Sequence, residues 1–414
     1  MNNINDAVEI EIFDTHNNFL GDSPILPEEI VEIEWEDVLN ELGAFRFRLF
    51  AHDEHRDLVM DTRNHLEFYA YVYDPETDNV ERRHVYDGKI TNPGIIISEE
   101  GVPYIEVNGL SIGAELSDIV CHINFLRQEY PYVAPAYVIN NYKDRYLGER
   151  EWALDPDGEQ ETTYDVGTLA ASHRISYFEF LNDISDYTRS CFCVKPGRLI
   201  RWLNQDYPDS GLHACYLDYY DKDDLPLDTL PIKSLSLEQV SNTAVSSVYA
   251  YGNSGYQEWL DPSWDPGAPW RVRQLWGATV LENLDTMNTY GEIQVRKDFA
   301  QAGSQDALKR CAMNYLLNNN SPQHKYGLEV ANLTPGSLFP GDMLRVDFDG
   351  VDSSGKYLSI HDDLVCISVS HTIDPDTKLY TGTIELSEKV TRIIENGDII
   401  QQLTSRLTDA NATG

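Results

Sequence analysis

Basic residues are scarce in this chain. Its 414 residues carry 31 lysines and arginines against 69 aspartates and glutamates, a formal net charge of −38. Binding to nucleic acid through phosphate neutralisation needs a basic surface, so this balance excludes ordinary DNA or RNA binding. It also argues against docking on an anionic membrane. An acidic surface suits solubility, a salty environment or a wall that must not stick to nucleic acid.

Long apolar runs and paired cysteines are missing too. No stretch approaches the roughly 18 apolar residues of a membrane span, so no direct membrane insertion is predicted. The first residues have neither the basic nor the apolar region of a signal peptide. No CxxC pair occurs, so we expect buried free thiols rather than a disulfide framework. The six cysteines are Cys121, Cys191, Cys193, Cys215, Cys311 and Cys366.

Apolar residues are plentiful and follow strand-like patterns near the N terminus. They make up 42% of the chain, which excludes global disorder. Runs such as Val8–Ile12, Val31–Trp35 and Phe45–Leu49 alternate apolar with charged residues, the period of half-buried strands. The turn over 74–79 predicts a hairpin between the next two runs. No helical period separates these strands, which is typical of a barrel or sandwich.

Helical patterns follow. Residues 136–147 have helical spacing, and Ser176 with Glu179 forms a capping-box signature at the start of a helix over 176–187. Two strands, 191–194 and 199–203, follow around Pro196-Gly197.

The predicted fold class is mainly β (α+β), in two to four domains. We expect an N-terminal antiparallel β-barrel over residues 1–115 and a small mixed α/β module over 116–235. A second β-barrel spans 236–388 and a helical tail spans 389–414. The second barrel carries a Trp-rich insertion over 253–290 and a helix over 304–317.

Two glycine motifs resemble catalytic or nucleotide-binding signatures without their context. Gly109–Gly113 matches G-x-S-x-G, but the parallel βαβ setting of a nucleophile elbow is missing, so we interpret it as a turn leaving the barrel. Gly350–Lys356 lacks the Ser or Thr of a P-loop and joins two predicted strands, which indicates a hairpin loop.

Several acidic or histidine-rich segments offer metal-type ligands. Asp155–Glu161 and Asp218–Asp224 lack calcium-loop spacing and are interpreted as solvated loops. His52–His55 is not H-E-x-x-H and is interpreted as a surface turn. No cofactor is expected, and no catalytic or metal-binding residue is assigned.

The Trp-rich segment and the C-terminal tail are the candidates for partner contact. A loop rich in Trp and Pro either folds onto its own domain or anchors a partner, and the sequence does not choose. The tail has apolar residues on a rough heptad that would pair copies of the chain. The candidate residues are Trp259, Trp264, Trp270, Trp276, Val390, Ile393, Ile400, Leu403 and Leu407.

The chain resembles the baseplate hub, or tail-associated, proteins of tailed bacteriophages. The resemblance rests on the VYDGKI hairpin, the SYFEFLNDISDY helix and the ending over 337–387. That ending contains the turn Pro340-Gly341-Asp342, a strand with His371, and a turn at Asp374–Asp376 into a Thr-rich strand. The segment Asn242–Asn253, within VSNTAVSSVYAYGN, looks like the strand that enters the second barrel.

The resemblance implies two tail-tube-like barrels per chain and a homotrimeric ring at the virion's tail tip, with DNA passing through its lumen. Its partners would be the tail tube or distal tail protein, and a tip spike, fibre or tape-measure protein. Assembly would take place in the host cytoplasm. The expected role is structural and not enzymatic. The alternatives are a cell-wall or capsule hydrolase and a carbohydrate-binding adsorption module.

Overall fold

The structure is a computed structural model of the chain. It describes residues 8–74, 79–98, 101–120, 126–127, 139, 152–156, 168–169, 175–203, 207–216, 228–241, 244–252, 259–275, 278–299, 302, 304–331, 333–351, 355–373 and 380–388.

Strands dominate the described residues. From the N terminus they are β1 (Val8–Phe13), β2 (Phe19–Ile25), β3 (Ile30–Val38), β4 (Ala44–Phe50), β5 (His65–Asp74), β6 (Asn79–Ile97), β7 (Pro103–Ser111), β8 (Leu126–Arg127), β9 (Ala153–Leu154), β10 (Thr168–Leu169) and β11 (Cys191–Lys195). They continue with β12 (Leu199–Leu203), β13 (Asp209–Tyr216), β14 (Thr229–Ser241), β15 (Ser247–Tyr251), β16 (Trp270–Leu275), β17 (Ala278–Asn283), β18 (Gln294–Asp298), β19 (Gln323–Val330), β20 (Met343–Val351), β21 (Tyr357–Ile373) and β22 (Tyr380–Ser387). The helices are α1 (Arg56–Val59), α2 (Ala114–Ser117), α3 (Tyr177–Thr188), α4 (Leu284–Tyr290) and α5 (Gln305–Asn318).

The first β-rich unit is an antiparallel sheet in the order β2-β1-β5-β6-β7-β4-β3. The predicted alternation is confirmed, because Phe45, Phe47 and Leu49 are all buried. On the other face Arg46 and Arg48 form ion pairs with carboxylates of the neighbouring strands. The apolar face of this sheet forms its own core.

The second β-rich unit is a ring of six strands. Pairing runs β21-β20-β13-β14-β19-β22 and returns to β21. The predicted mainly-β fold class is therefore confirmed, but the predicted second antiparallel β-barrel is not, because the six strands of the ring are unevenly arranged. Its strands are not all antiparallel, because β13 runs parallel to both β14 and β20. The hairpin between β20 and β21 over Gly350–Lys356 is confirmed by their pairing.

Helix α3 begins as the sequence predicts. The Ser176 side chain accepts from the Glu179 amide at 3.1 Å, and Glu179 accepts from the Ser176 amide at 2.8 Å. This capping box satisfies two amides that the first turn leaves without intrahelical partners. The predicted β11–β12 hairpin is also confirmed. The helix predicted over 136–147 lies outside the described residues except at Ile139.

A four-stranded sheet, β16-β17-β15-β18, stands apart from the ring. The expectation that the strand over 242–253 enters the second barrel is wrong, because β15 pairs with β17 and β18. Val248 and Ala250 of β15 join a core shared with α3 and α5. The local pattern identified a strand correctly, but distant residues decide its partners. Among the described helices, none is long and apolar enough to cross a bilayer.

Candidate functional site

The two β-rich units meet at a seam where β3 pairs with β21. The ladder is antiparallel and runs from Val38 opposite Ser368 to Ile33 opposite Ile373. Through this pairing both units belong to one 13-stranded sheet. Backbone hydrogen bonds thus join segments more than 300 residues apart in the chain, and the units are fixed in register.

An aromatic stack lies in the middle of the seam. Trp35 of β3 and His371 of β21 are directly opposite, with ring centroids 4.8 Å apart. The His371 Nδ1 bonds the hydroxyl of Tyr380. Burial lowers the pKa of His371 to about 3, because a charged imidazolium would lose its hydration there. His371 is therefore a neutral packing residue at neutral pH, and the sequence indicated its position but not this role.

The turn Pro340-Gly341-Asp342 fastens the start of β20 to β21. The Gly341 amide donates to the Cys366 carbonyl at 2.8 Å, and the Asp342 carbonyl accepts from the Cys366 amide at 2.8 Å. Gly341 has φ +93°, and a Cβ there would lie 2.2 Å from Cδ1 of Leu203. The glycine is required by both its left-handed conformation and the close approach of β12.

A buried charge network joins this turn to the β11–β12 hairpin. Nη1 of Arg201 lies 2.7 Å from the Asp342 carboxylate, and its Nε lies 3.7 Å from Asp155. Lys195 approaches the same Asp155 carboxylate at 2.8 Å. Burial raises the pKa of Asp342, although the Arg201 charge opposes that rise. Buried charges are tolerated only when paired, so these contacts fix the hairpin against the ring.

The loop after β3 holds the other side of the hairpin. Asn40 binds Phe192 through its amide and its side-chain oxygen, both at 2.8 Å. Leu39 packs with Cys191 and Cys193 of β11 in a small core. Burial raises the pKa of both thiols, which keeps them protonated. The five cysteines within the described part of the chain are free and buried, as predicted.

Two interpretations of polar segments need correction. Asp155 is not solvated: it is 2% exposed and belongs to the charge network. The remaining acidic residues of its loop, and the loop over 218–224, lie outside the described residues. The segment His52–His55 is a turn with His52 and Glu54 exposed, as interpreted, but His55 itself is buried at 3% exposure. No periodic pattern in the sequence predicts either burial, because both residues lie outside regular strands.

Two residues of the segment over 52–55 meet Glu29, from the turn before β3, in a group of ligand-type atoms that the sequence does not predict. One ligand-type atom each of Glu29, Glu54 and His55 lies within 4.8 Å of the other two. His55 already uses both ring nitrogens, one with Asp53 at 3.0 Å and one with the Ser23 carbonyl at 3.1 Å. The ring therefore fastens β2 to the α1 segment.

The G-x-S-x-G match has a packing role. Gly109 lies inside β7, and a Cβ there would lie 2.3 Å from the Phe45 ring. The glycine thus makes room for a core aromatic. Gly113 precedes α2, which has only four residues.

The candidate partner residues are described only in part. Trp264 and Trp270 are half-buried and pack against the core shared by α3 and α5. Trp259 contacts the ring of Tyr251 edge-on at 5.1 Å. Trp276 and the tail residues Val390, Ile393, Ile400, Leu403 and Leu407 lie outside the described residues. A partner role for any of them stays a prediction.

Two solved tail proteins share this fold. The tail protein from Neisseria meningitidis MC58 superposes with a TM-score of 0.57 at 12% identity, over 92% of this chain and 96% of that chain. The 43 kDa tail protein of prophage MuSo2 from Shewanella oneidensis gives 0.58 at 9% identity, over 92% and 98%. No protein-family model matches the sequence, and no curated protein matches it. The predicted resemblance to phage tail proteins is thus confirmed as a shared fold.

Proposed function

We propose that this chain is a structural tail-tip or baseplate-hub protein of a tailed bacteriophage. The observation that carries the proposal is the β3–β21 seam, which makes both β-rich units one continuous sheet. A rigid, continuous sheet suits a wall segment. The fold shared with two tail proteins over nearly the whole length supports the same role.

In this proposal three chains form a ring, and each contributes its two β-rich units as tail-tube-like barrels. The ring continues the tail tube, and DNA passes through its lumen during ejection. A charge of −38 per chain supports DNA passage through the lumen, because a basic lining would bind the phosphates of the DNA and slow its movement. Neighbours in the virion would be the tail tube or distal tail protein on one side and a spike, fibre or tape-measure protein on the other.

The proposed role is structural, without catalysis. The tail over 389–414 and the exposed edges of Trp259, Trp264 and Trp270 are the proposed contacts to neighbouring chains or tail components. Their apolar character supports this use, because aromatic anchors are enriched at interfaces.

Mass photometry of the purified chain in physiological salt tests the assembly. The proposal expects a particle of three times the 47.1 kDa chain mass. A particle that stays at the mass of one chain across a concentration series would contradict a self-assembling ring. A parallel assay on purified cell walls covers the hydrolase alternative: release of soluble fragments would contradict the non-enzymatic role.

A further inference from the structure

A histidine and two carboxylates meet on one face of the β5–β6 hairpin. One ligand-type atom each of Glu67, His84 and Asp87 lies within 4.8 Å of the other two. Asp87 is 4% exposed, and the other two are half-buried. This group lies beside the turn between β11 and β12, because the Gly197 amide donates to Oδ2 of Asp87 at 2.6 Å.

A β-bulge brings the group together. His84 and Asp87 are three residues apart on β6, so in a regular strand they would face opposite sides of the sheet. The ladder pairs Phe68 with Tyr86 but Tyr69 with His84, which leaves one extra residue on β6. Bulges of this kind re-aim side chains and are over-represented beside functional sites. Here the bulge turns His84 to the same face as the two carboxylates.

Groups outside the cluster hold each of its members. The Tyr69 hydroxyl donates to Oε2 of Glu67 at 2.6 Å, and its ring stacks on His84 with centroids 4.8 Å apart. The His84 ring also bonds the backbone of Tyr86. Metal sites show this pattern, in which ligating imidazoles and carboxylates are oriented by further hydrogen bonds.

We propose that Glu67, His84 and Asp87 bind one divalent cation of the zinc class on the β5–β6 hairpin, beside the β11–β12 turn. One imidazole nitrogen with two carboxylate oxygens is a zinc-type donor set that leaves a fourth position for water. Calcium would instead require six to eight oxygen ligands. The ion would replace the hydrogen bond that now joins His84 Nε2 to Asp87 Oδ1 at 2.5 Å, and the bridging proton would leave to solvent.

The second cluster, Glu29, Glu54 and His55, provides the contrast. Both ring nitrogens of His55 are already bonded, to Asp53 and to the Ser23 carbonyl. An ion there would have to break a bond to a group outside the cluster, whereas at His84 it would replace only the bond to Asp87, which is itself a proposed ligand. Glu54→Gln is therefore a matched control for Glu67→Gln, with the same substitution in the same kind of cluster.

Isothermal titration of the metal-stripped full-length chain with zinc chloride tests the site. We expect saturable binding of one ion at this site, and at least about a tenfold loss of affinity in Glu67→Gln and in His84→Gln. Glu54→Gln should bind like the wild type. Melting curves give a second reading: zinc should raise the melting temperature of the wild type and Glu54→Gln but not of His84→Gln.

Several titration results would overturn the proposal: wild-type binding weaker than about 1 mM, binding that survives both ligand substitutions, or binding lost in Glu54→Gln alone. A wild-type preference for calcium over zinc would also contradict the donor set. Circular dichroism of the metal-free variants verifies that they fold, and Glu67→Gln and His84→Gln each test the site alone if the other variant does not fold. The test needs no assembled ring, so its result is independent of the proposed tail function.

Discussion

Trp35 and His371 stack across the seam that joins the two β-rich units, with ring centroids 4.8 Å apart and planes inclined by 21°. They are directly opposed in the β3–β21 ladder, and His371 is 2% exposed. The contact gives the seam an apolar centre as well as its backbone hydrogen bonds.

Acid should weaken the fold through His371. Its folded pKa of about 3 lies below the usual 6.5, so between these values the unfolded chain binds a proton that the folded chain refuses. The stabilising contribution is complete above pH 6.5 and declines as pH falls toward 3, by up to about 1.4 kcal/mol per pH unit. Urea unfolding at pH 7.5, 6.0 and 5.0 measures this decline in the free energy of unfolding.

His371→Phe keeps an aromatic ring but cannot titrate, so its stability should depend less on pH than that of the wild type. Carboxylates titrate in both proteins, and the difference between the two curves isolates His371. His16→Phe, at an exposed position, is the control. Equal pH dependence in His371→Phe and the wild type would show that the seam histidine does not contribute.

The buried charge network should be intolerant of losing one partner. Arg201→Met leaves Asp342 and Asp155 buried without their guanidinium, at a cost of about 3–5 kcal/mol in the free energy of unfolding. Combining it with Asp342→Asn should cost less than the sum of the single changes, because the uncompensated charge is removed. Chemical denaturation of the three variants measures this coupling.

The exposed pair Arg63–Asp61 supplies the comparison. Arg63 is 79% exposed in its side chain, so Arg63→Met should change stability little. Additive costs in the Arg201 and Asp342 double variant would mean that the two residues do not act as a pair.

Gly341 should be far more sensitive to alanine than Gly355, although both have φ near +90°. A Cβ at Gly341 would collide with Leu203, whereas one at Gly355 meets no atom within 4 Å. We expect Gly355→Ala to cost about 1 kcal/mol from its backbone conformation and Gly341→Ala about 2–3 kcal/mol more. Thermal and urea unfolding give both values. In a Leu203→Ala background the additional destabilisation caused by Gly341→Ala should largely disappear, because the side chain that its Cβ would meet is gone. If the additional destabilisation stays the same, contact with Leu203 is not its cause.

Trp264 separates the two interpretations of the Trp-rich segment. It packs against the core, with Nζ of Lys309 5.4 Å from its ring. If its main role is to hold this segment on its own domain, Trp264→Ala should lower the free energy of unfolding by about 1–3 kcal/mol. If Trp264 instead anchors a partner, Trp264→Ala should lose binding, measured on a glycan array or with a neighbouring tail protein. The stability of that variant should then stay near that of the wild type.

Local patterns predicted local structure well and long-range arrangement poorly. Alternation through Phe45–Leu49 and the Ser176–Glu179 box depend on residues close in sequence, and both predictions are confirmed. The partners of β15 and the parallel course of β13 depend on distant residues, and the sequence missed them.

The site shows the same division. The Pro340–Asp342 turn and His371 stand out as motifs in the sequence, but their buried partners, Arg201 and Trp35, lie in distant parts of the chain. The bulge on β6 leaves Val85 without a partner on β5, and such an extra residue is defined only by the pairing between the two strands, which the sequence of β6 alone does not determine.

Negative-stain imaging of the purified chain tests the central claim most directly. The seam makes the two β-rich units one sheet, and we propose that three such sheets close a ring around a DNA passage. Class averages should show a ring with a central hole and threefold symmetry. Compact particles without a hole, at concentrations where mass photometry finds an oligomer, would contradict the proposed tail-tip ring.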